Sequence, residues 1–452
     1  MKRDMTSGKE WKLILLFTLP IMAGNLLQQL YNIVDGIIVG NFVSESAFAA
    51  VTTCQPLTVL YLALALGLSV GVGVVISQYY GAGKKDKLPV AIDTALILLG
   101  LCGLLFTILG VLLSEVLLRD LLNVPEDILP DATTYMRIYS VGLFFQFLYN
   151  GIAATLRGFG DSKATLYFLL IATLLSTALT FVFVLVIEWR VAGAAFSTVL
   201  AQAVCAVVSY IYLRKRFPSV KHGKHWDGEI AATMTRLGLP IAIQMGIVSF
   251  GNGAMQRLVN SFDSTVTGVV AAYGAAIRLD MLIYVPIMGF QSGLANFTGQ
   301  NIGAGNLDRV KRGFRATLAM SLMVTVLISA LLYIFAENIV GLFGLVDNSL
   351  IIGSQIIMYL TMFFWLFSAY MTVGGILQGA GDTILLSVTT LSALIVRILT
   401  GYLAVHFGLL GHEAAWVTTP IGWALAIIIS YSRYFTGGWK NKAVAGKLKD
   451  RG

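Results

Sequence analysis

Long apolar runs, broken by short clusters of charge, glycine, proline and asparagine, occupy the chain from about residue 13 to residue 435. A lipid-spanning helix needs roughly 20 mostly apolar residues. Cut at those clusters, the sequence predicts twelve spans, near 13–40, 48–77, 89–113, 132–156, 164–187, 192–213, 237–262, 268–298, 314–336, 352–377, 384–406 and 414–435. The runs are too long for barrel strands and lack strict alternation. Hydrocarbon offers no partner to a backbone N–H or C=O, so helices are expected throughout. The first run follows Lys2, Arg3, Lys9 and Lys12 but is too long for a signal peptide, and reads as a retained helix.

Composition narrows the function. Hydrophobic residues make up 57% of the 452 and charged residues 12%, whereas soluble domains run near a quarter charged, so soluble enzymes and disordered proteins are excluded. The net charge of +8 has a topological use. Of the 31 lysines and arginines, 25 fall at the N-terminus, in the even-numbered loops and at the C-terminus, while the odd-numbered loops carry acids such as Glu45, Asp127 and Glu337. Basic residues stay on the cytoplasmic side, so a multi-pass protein of the cytoplasmic (inner) membrane with both termini cytoplasmic is expected, and no nucleic-acid partner. Cys54, Cys102 and Cys205 lie inside apolar runs and imply no disulfide framework. The four histidines are dispersed, and neither a metal site nor a cofactor is expected. Gly81-Ala82-Gly83-Lys84-Lys85 has Gln78 where a phosphate loop needs glycine and Lys85 where it needs Ser or Thr, so transport would draw on an ion gradient.

The chain also repeats itself. Leu19-Pro20-Ile21 recurs as Leu239-Pro240-Ile241, Gly67 and Gly71 as Gly289 and Gly293, Gly81-Ala82-Gly83 as Gly303-Ala304-Gly305, and Gly158-Phe159-Gly160-Asp161 as Gly379-Ala380-Gly381-Asp382, at offsets of 220 to 222. Six spans per half is an even number, so both halves enter the membrane from the same side as parallel repeats. The expected organisation is an amino-terminal six-helix bundle at 1–213, a cytoplasmic linker at 214–236, a second bundle at 237–435 and a cytoplasmic tail at 436–452. Glycines four apart suit close helix packing, and the turn glycines suit positive φ.

Polar groups at membrane depth are costly and mark candidate sites. Asn25, Gln28, Asn32 and Asp35 step by 3, 4 and 3 residues, a single helical stripe that must face a cavity or another helix. Asp35 has no nearby Lys or Arg in sequence and suits a proton carrier, unless it only hydrogen-bonds a neighbouring helix. The seventh span carries Ser249, Asn252, Gln256 and Asn260, with Arg257 beside them. Arg278 and Asp280 in the eighth are two apart and cannot pair on one helix face. Arg257 and Arg397 are the candidate partners of Asp280, in a cluster that is either structural or functional. The candidate substrate contacts are Asn25, Gln28, Tyr31, Asn252, Gln256, Arg278 and Asp280.

Beyond the twelve spans and the six-plus-six repeat, the chain carries Leu19-Pro20, Tyr31-Asn32-Ile33-Val34-Asp35-Gly36, Gln78 through Gly83, Arg157 through Asp161, Gly193-Ala194-Ala195, Ala271-Ala272-Tyr273 with Arg278, and Gln378 through Asp382. In these residues, in their order and spacing, it resembles the MATE (multidrug and toxic compound extrusion) family. Asp35 on the first helix looks like the bacterial DinF-like branch. The resemblance implies two six-helix bundles around a V-shaped cleft, and an antiporter that expels organic compounds as protons or sodium ions enter. It also implies that Asp35 and Asn32 join a cation-coupling site whose other slots fall at Ser176, Thr180 and Thr198. Hydroxyls at 176 and 180 replace the family's Asn and Asp, which leaves Asp35 as the site's carboxylate and suits a proton better than sodium.

The function expected is secondary active export of amphipathic, cationic organic compounds, with membrane lipids as surroundings and a monomer sufficient. A flippase for lipid-linked sugars is the alternative, though it calls for more spans and a basic central cavity. No set of converging catalytic groups argues for an enzyme. Pro20 and Pro240 are candidate helix-bend points, either moving with Asp35 or static.

Overall fold

The computed structural model describes residues 4–42, 45–217 and 225–444, and the side chains among them other than those of 30–48 and 185. Asp35, Asn32 and Tyr31 therefore lie outside the described side chains, although their backbone is helical. In chain order the helices are α1 (Glu10–Phe42), α2 (Glu45–Thr53), α3 (Gln55–Gly81), α4 (Lys87–Val116), α5 (Leu129–Val141), α6 (Leu143–Gly158), α7 (Ser162–Phe181) and α8 (Arg190–Arg216). The second half continues with α9 (Gly228–Asn260), α10 (Val269–Gly303), α11 (Leu307–Ile334), α12 (Ala336–Gly341), α13 (Asp347–Thr361), α14 (Phe364–Ala380), α15 (Thr383–His406), α16 (Ala414–Val417) and α17 (Thr419–Thr436). No strand occurs among the described residues.

Every expected span meets a helix or a helix pair. Ten helices among the described residues are long and apolar enough to cross a membrane, and α13 with α14, bent by 49°, makes an eleventh. The expected fourth span is also broken, at Gly142 between α5 and α6, and neither piece alone is long enough to cross. The breaks at Gly142 and at Met362-Phe363 stand one repeat apart, so each half interrupts its fourth span at the same place. Hydropathy reads a continuous apolar run across both breaks because a turn of apolar residues costs nothing on that scale.

The segment expected as linker, 214–236, is helical at both ends. Arg214, Lys215 and Arg216 close α8, where cations complement the helix dipole. Asp227 Oδ1 accepts from the backbone N–H groups of Glu229 and Ile230 and starts α9. A helix ends where its backbone groups find other partners, not where its apolar run stops.

The contacts divide the chain into two compact units that cut across its order. One comprises Met1–Asp4, Leu19–Met245 and Val444–Gly452; the other comprises Met5–Thr18 and Gly246–Ala443. The first stretch of each leading helix thus packs with the other repeat. In the first unit Gly67 and Gly71 of α3 lie so close to α9 that a Cβ on either would run into the backbone of Ala242 or of Met234. In the second unit Gly293 of α10 stands in the same way against the Thr18 side chain of α1. The glycine faces are packing faces, where small residues let backbones approach. Two buried glutamines 222 residues apart hold strands of chain at these ends. Gln78 Oε1 accepts from the Val444 N–H at 2.7 Å and Gln300 Oε1 from the Met5 N–H at 3.0 Å. Gly83 and Gly305 turn with φ of +66° and +77°. Of the expected tail, Gly438–Lys442 forms a 3₁₀ turn with Trp439 buried against Tyr434.

Candidate ion-coupling sites in the two units

In the amino-terminal unit, Ser176 and Thr180 are four apart on α7 and share one face, which α8 covers with Ser197 and Thr198. Ser176, Thr180 and Ser197 are buried at 4%, 0% and 0% exposure. The Thr180 and Ser197 hydroxyl oxygens are 2.6 Å apart, and Ser197 Oγ donates to the Ala194 carbonyl at 2.8 Å. Thr198 Oγ1 bonds the same carbonyl at 3.2 Å. A buried hydroxyl without a partner costs about 1–3 kcal/mol, and back-bonding to the helix removes most of that cost. The seam is thus a stable cluster of hydroxyl oxygens inside an apolar bundle, able to hydrogen-bond a carboxyl group or to turn lone pairs toward a small cation. Three of its members are the residues expected from sequence. Ser197 was not among them, although its place beside Thr198 on a helix facing α7 is a usable signal.

Asn25 and Gln28 on α1 are half-buried. In the carboxy-terminal unit, Asn252 is exposed, and half-buried Gln256 donates Nε2 to Asn260 Oδ1 at 2.8 Å. Arg278 and Asp280 point apart: Arg278 is exposed, while Asp280 turns inward with Oδ1 shut off from solvent and without a hydrogen-bond partner. Of the two candidate partners, Arg397 on α15 is the one that reaches α10, at Tyr273, seven residues from Asp280. Arg257 is exposed. Arg397 donates through Nη2 to the Tyr273 hydroxyl at 3.4 Å and to the Ala415 carbonyl at 3.5 Å, and its Nε is buried without a partner. Pro20 and Pro240 sit inside α1 and α9, which run through them unbroken.

Three ionic clusters escaped the sequence reading. Asp93, 2% exposed near the start of α4, takes Arg214 on one oxygen and His225 Nδ1 at 2.8 Å on the other. Asp161 accepts from Tyr212 at 2.9 Å and pairs with Arg216 at 3.0 Å, and Asp382 pairs with Arg433 at 2.7 Å. The repeated Gly-x-Gly-Asp motif was the available signal for the last two.

The MatE family profile matches residues 20–182 and again 240–403, the two halves that the repeat defines. The chain belongs to the MatE family. Among the relatives of this MatE-family chain, a probable multidrug resistance protein, YpnP, of Bacillus subtilis (strain 168) is 30% identical over 441 residues, 97% of each chain. A second from that organism, YoeA, is 27% identical over 96% of this chain and 95% of its own. Among solved structures, the outward-facing conformation of a multidrug resistance MATE family transporter of the MOP superfamily matches with a TM-score of 0.86 at 25% identity, over 97% of this chain and 98% of that one. With its apolar helices, the chain is a multi-pass membrane protein of the MATE transporter fold.

Proposed function

We propose that this chain is a secondary active exporter of amphipathic, cationic organic compounds, exchanged for protons at Asp35, and a transporter rather than an enzyme. The observation that carries the reading is the buried Ser176–Thr180–Ser197 hydroxyl seam, with Thr198 beside it; Ser176, Thr180 and Thr198 are the positions that the family likeness implies for cation coupling. Hydroxyls supply hydrogen-bond partners for a carboxyl in either protonation state, whereas a hard metal cation favours several anionic or carbonyl oxygens. That favours the proton over sodium. Relatives named as multidrug resistance proteins across nearly the whole chain support organic substrates. Asn25, Gln28 and Tyr31 on α1, with Asn252, Gln256 and Arg278 in the other repeat, are the proposed substrate contacts. The chain sits in the cytoplasmic membrane with both termini inside, by its basic-residue asymmetry, and works as a monomer among lipids.

The test is uptake of a fluorescent organic cation into inside-out vesicles driven separately by a pH gradient and a sodium gradient. Uptake is expected with the pH gradient and is expected to vanish in Asp35→Asn at equal expression. Wild-type rates in Asp35→Asn under a pH gradient would remove Asp35 from the coupling step, and uptake driven by sodium alone would replace the proton.

A further inference from the structure

The repeat places the two seams in register. The 221-residue offset that joins Asp161 to Asp382 also carries Ser176 of α7 onto Arg397 of α15. Ala194-Ala195 and Ala414-Ala415 bring Thr198 onto Thr418, and the two threonines make the same bond, each to the carbonyl four residues earlier, at 3.2 and 2.8 Å. Thr418 Oγ1 also reaches the Arg397 carbonyl at 3.3 Å, so α15 and the chain around α16 meet at this point. Where the amino-terminal seam offers hydroxyl oxygens, the carboxy-terminal seam holds a guanidinium.

Asp280 supplies the matching anion. It lies 11 residues into α10, about 16 Å along the helix, and Arg397 lies 9 residues from the end of α15, about 13 Å, so both are deep in their spans. The charged and titratable groups gathered here are Asp280, Tyr273 and Tyr284 on α10, and Arg397, which reaches α10 through the Tyr273 hydroxyl. Tyr273 and Tyr284 share α10 with Asp280; α11, α13 and α14, which also pack on α10, carry no charged residue between Arg315 and Glu337 or between Asp347 and Asp382. A carboxylate at such depth needs a positive partner. Asp280 and Arg397 nevertheless make no direct ion pair, and each keeps one buried polar atom unpartnered, which is unlike the closed pairs Asp161–Arg216 and Asp382–Arg433.

We propose that Arg397 is the resident cation of the carboxy-terminal unit, a tethered guanidinium that serves Asp280 in place of a bound proton or metal cation. The repeat then divides its labour: the amino-terminal seam exchanges its ion on each cycle, and the carboxy-terminal seam keeps its own permanently. Neutralising Arg397 uncovers a cation site at Asp280. This deepens the ion-coupling reading above and rests on it, so the test measures ion binding without transport.

The full-length protein is purified in detergent in an Asp35→Asn background, which silences the amino-terminal carboxylate. Melting temperature is then followed from pH 5.5 to 9 in sodium chloride or choline chloride. The parent and Arg397→Lys, which keeps the charge, are expected to melt independently of sodium and with parallel pH profiles. Arg397→Gln is expected to gain a cation dependence. Either its melting temperature falls by about 3 °C or more as pH rises, the sign for a carboxyl whose protonated form the fold favours, or sodium raises it by a similar amount at high pH. Adding Asp280→Asn is expected to abolish the gain. An Arg397→Gln profile that parallels the parent in both salts overturns the proposal, and so does a new dependence that survives Asp280→Asn. If neither Arg397→Gln nor the variant with both charges removed folds, Arg397 is a packing residue and the proposal fails. Loss of proton-driven transport in the wild type would sink the exporter reading while leaving these melts to be judged on their own.

Discussion

At one end of each half, Asp161 and Asp382 stand at the head of α7 and α15, and each accepts from a residue 51 positions later, Tyr212 and Arg433. Arg216 completes the first cluster. Four turns further along the same two helices the halves part company: Ser176 and Thr180 face Ser197 in one, and Arg397 faces Tyr273 in the other. Both ends began from the same repeat, so the difference separates two kinds of constraint. Helix starts must be tied down in either half, and an acid with a basic partner does so at little cost near the surface. Mid-depth positions carry no such shared duty, and there the chemistry has diverged.

The widest effect should come from neutralising the shared pairs. Asp161→Ala and Asp382→Ala each take the carboxylate from a largely buried guanidinium, at a cost of about 2–3 kcal/mol, below the full buried-pair penalty because a quarter to a third of each arginine reaches solvent. Thermal melts in detergent should show similar losses for the two. A loss confined to one half would break the equivalence. Thr180→Val comes next. It keeps the shape and removes one hydroxyl, while Ser197 keeps its bond to Ala194, so stability should fall by about 1 kcal/mol or less. Proton-driven uptake should fall several-fold, and unchanged uptake would reduce the seam to packing. The smallest contrast lies at the prolines. Pro20→Ala should impair export more than Pro240→Ala at equal expression, because only α1 carries an acid such as Asp35; equal, mild losses would make both prolines static.

Spans, repeat and packing glycines were legible in the sequence because each is a local pattern or a match at fixed offset. Gly67 and Gly71 read as a close-approach face and are one. The breaks at Gly142 and Met362-Phe363 were not legible, since both lie in continuous apolar runs. Nor was it legible that Arg397 and not Arg257 reaches α10 at Tyr273, because which helix face meets which neighbour is decided by the bundle and not by spacing along one helix. The apolar residues at and after the second break divide between the core, where Phe364 packs on Trp423, and the surface, where Met362 and Trp365 are exposed, a division that composition alone does not show. Ser197 and Asp93 show the remaining gap: a polar residue's role follows from its partner on a helix more than a dozen residues away.

The exchange of leading-helix segments between the units also sets an order of events at the ribosome. Gly71 leaves the exit tunnel 163 residues before Met234, the residue against which it packs, a wait on the order of ten to thirty seconds at ordinary synthesis rates. Thr18 waits longer still for Gly293. Neither half of the chain can therefore finish its assembly before the other has begun to enter the bilayer, and a chain stalled after α8 would leave the α3 glycine face without its partner, open to lipid or to the quality-control machinery of the membrane.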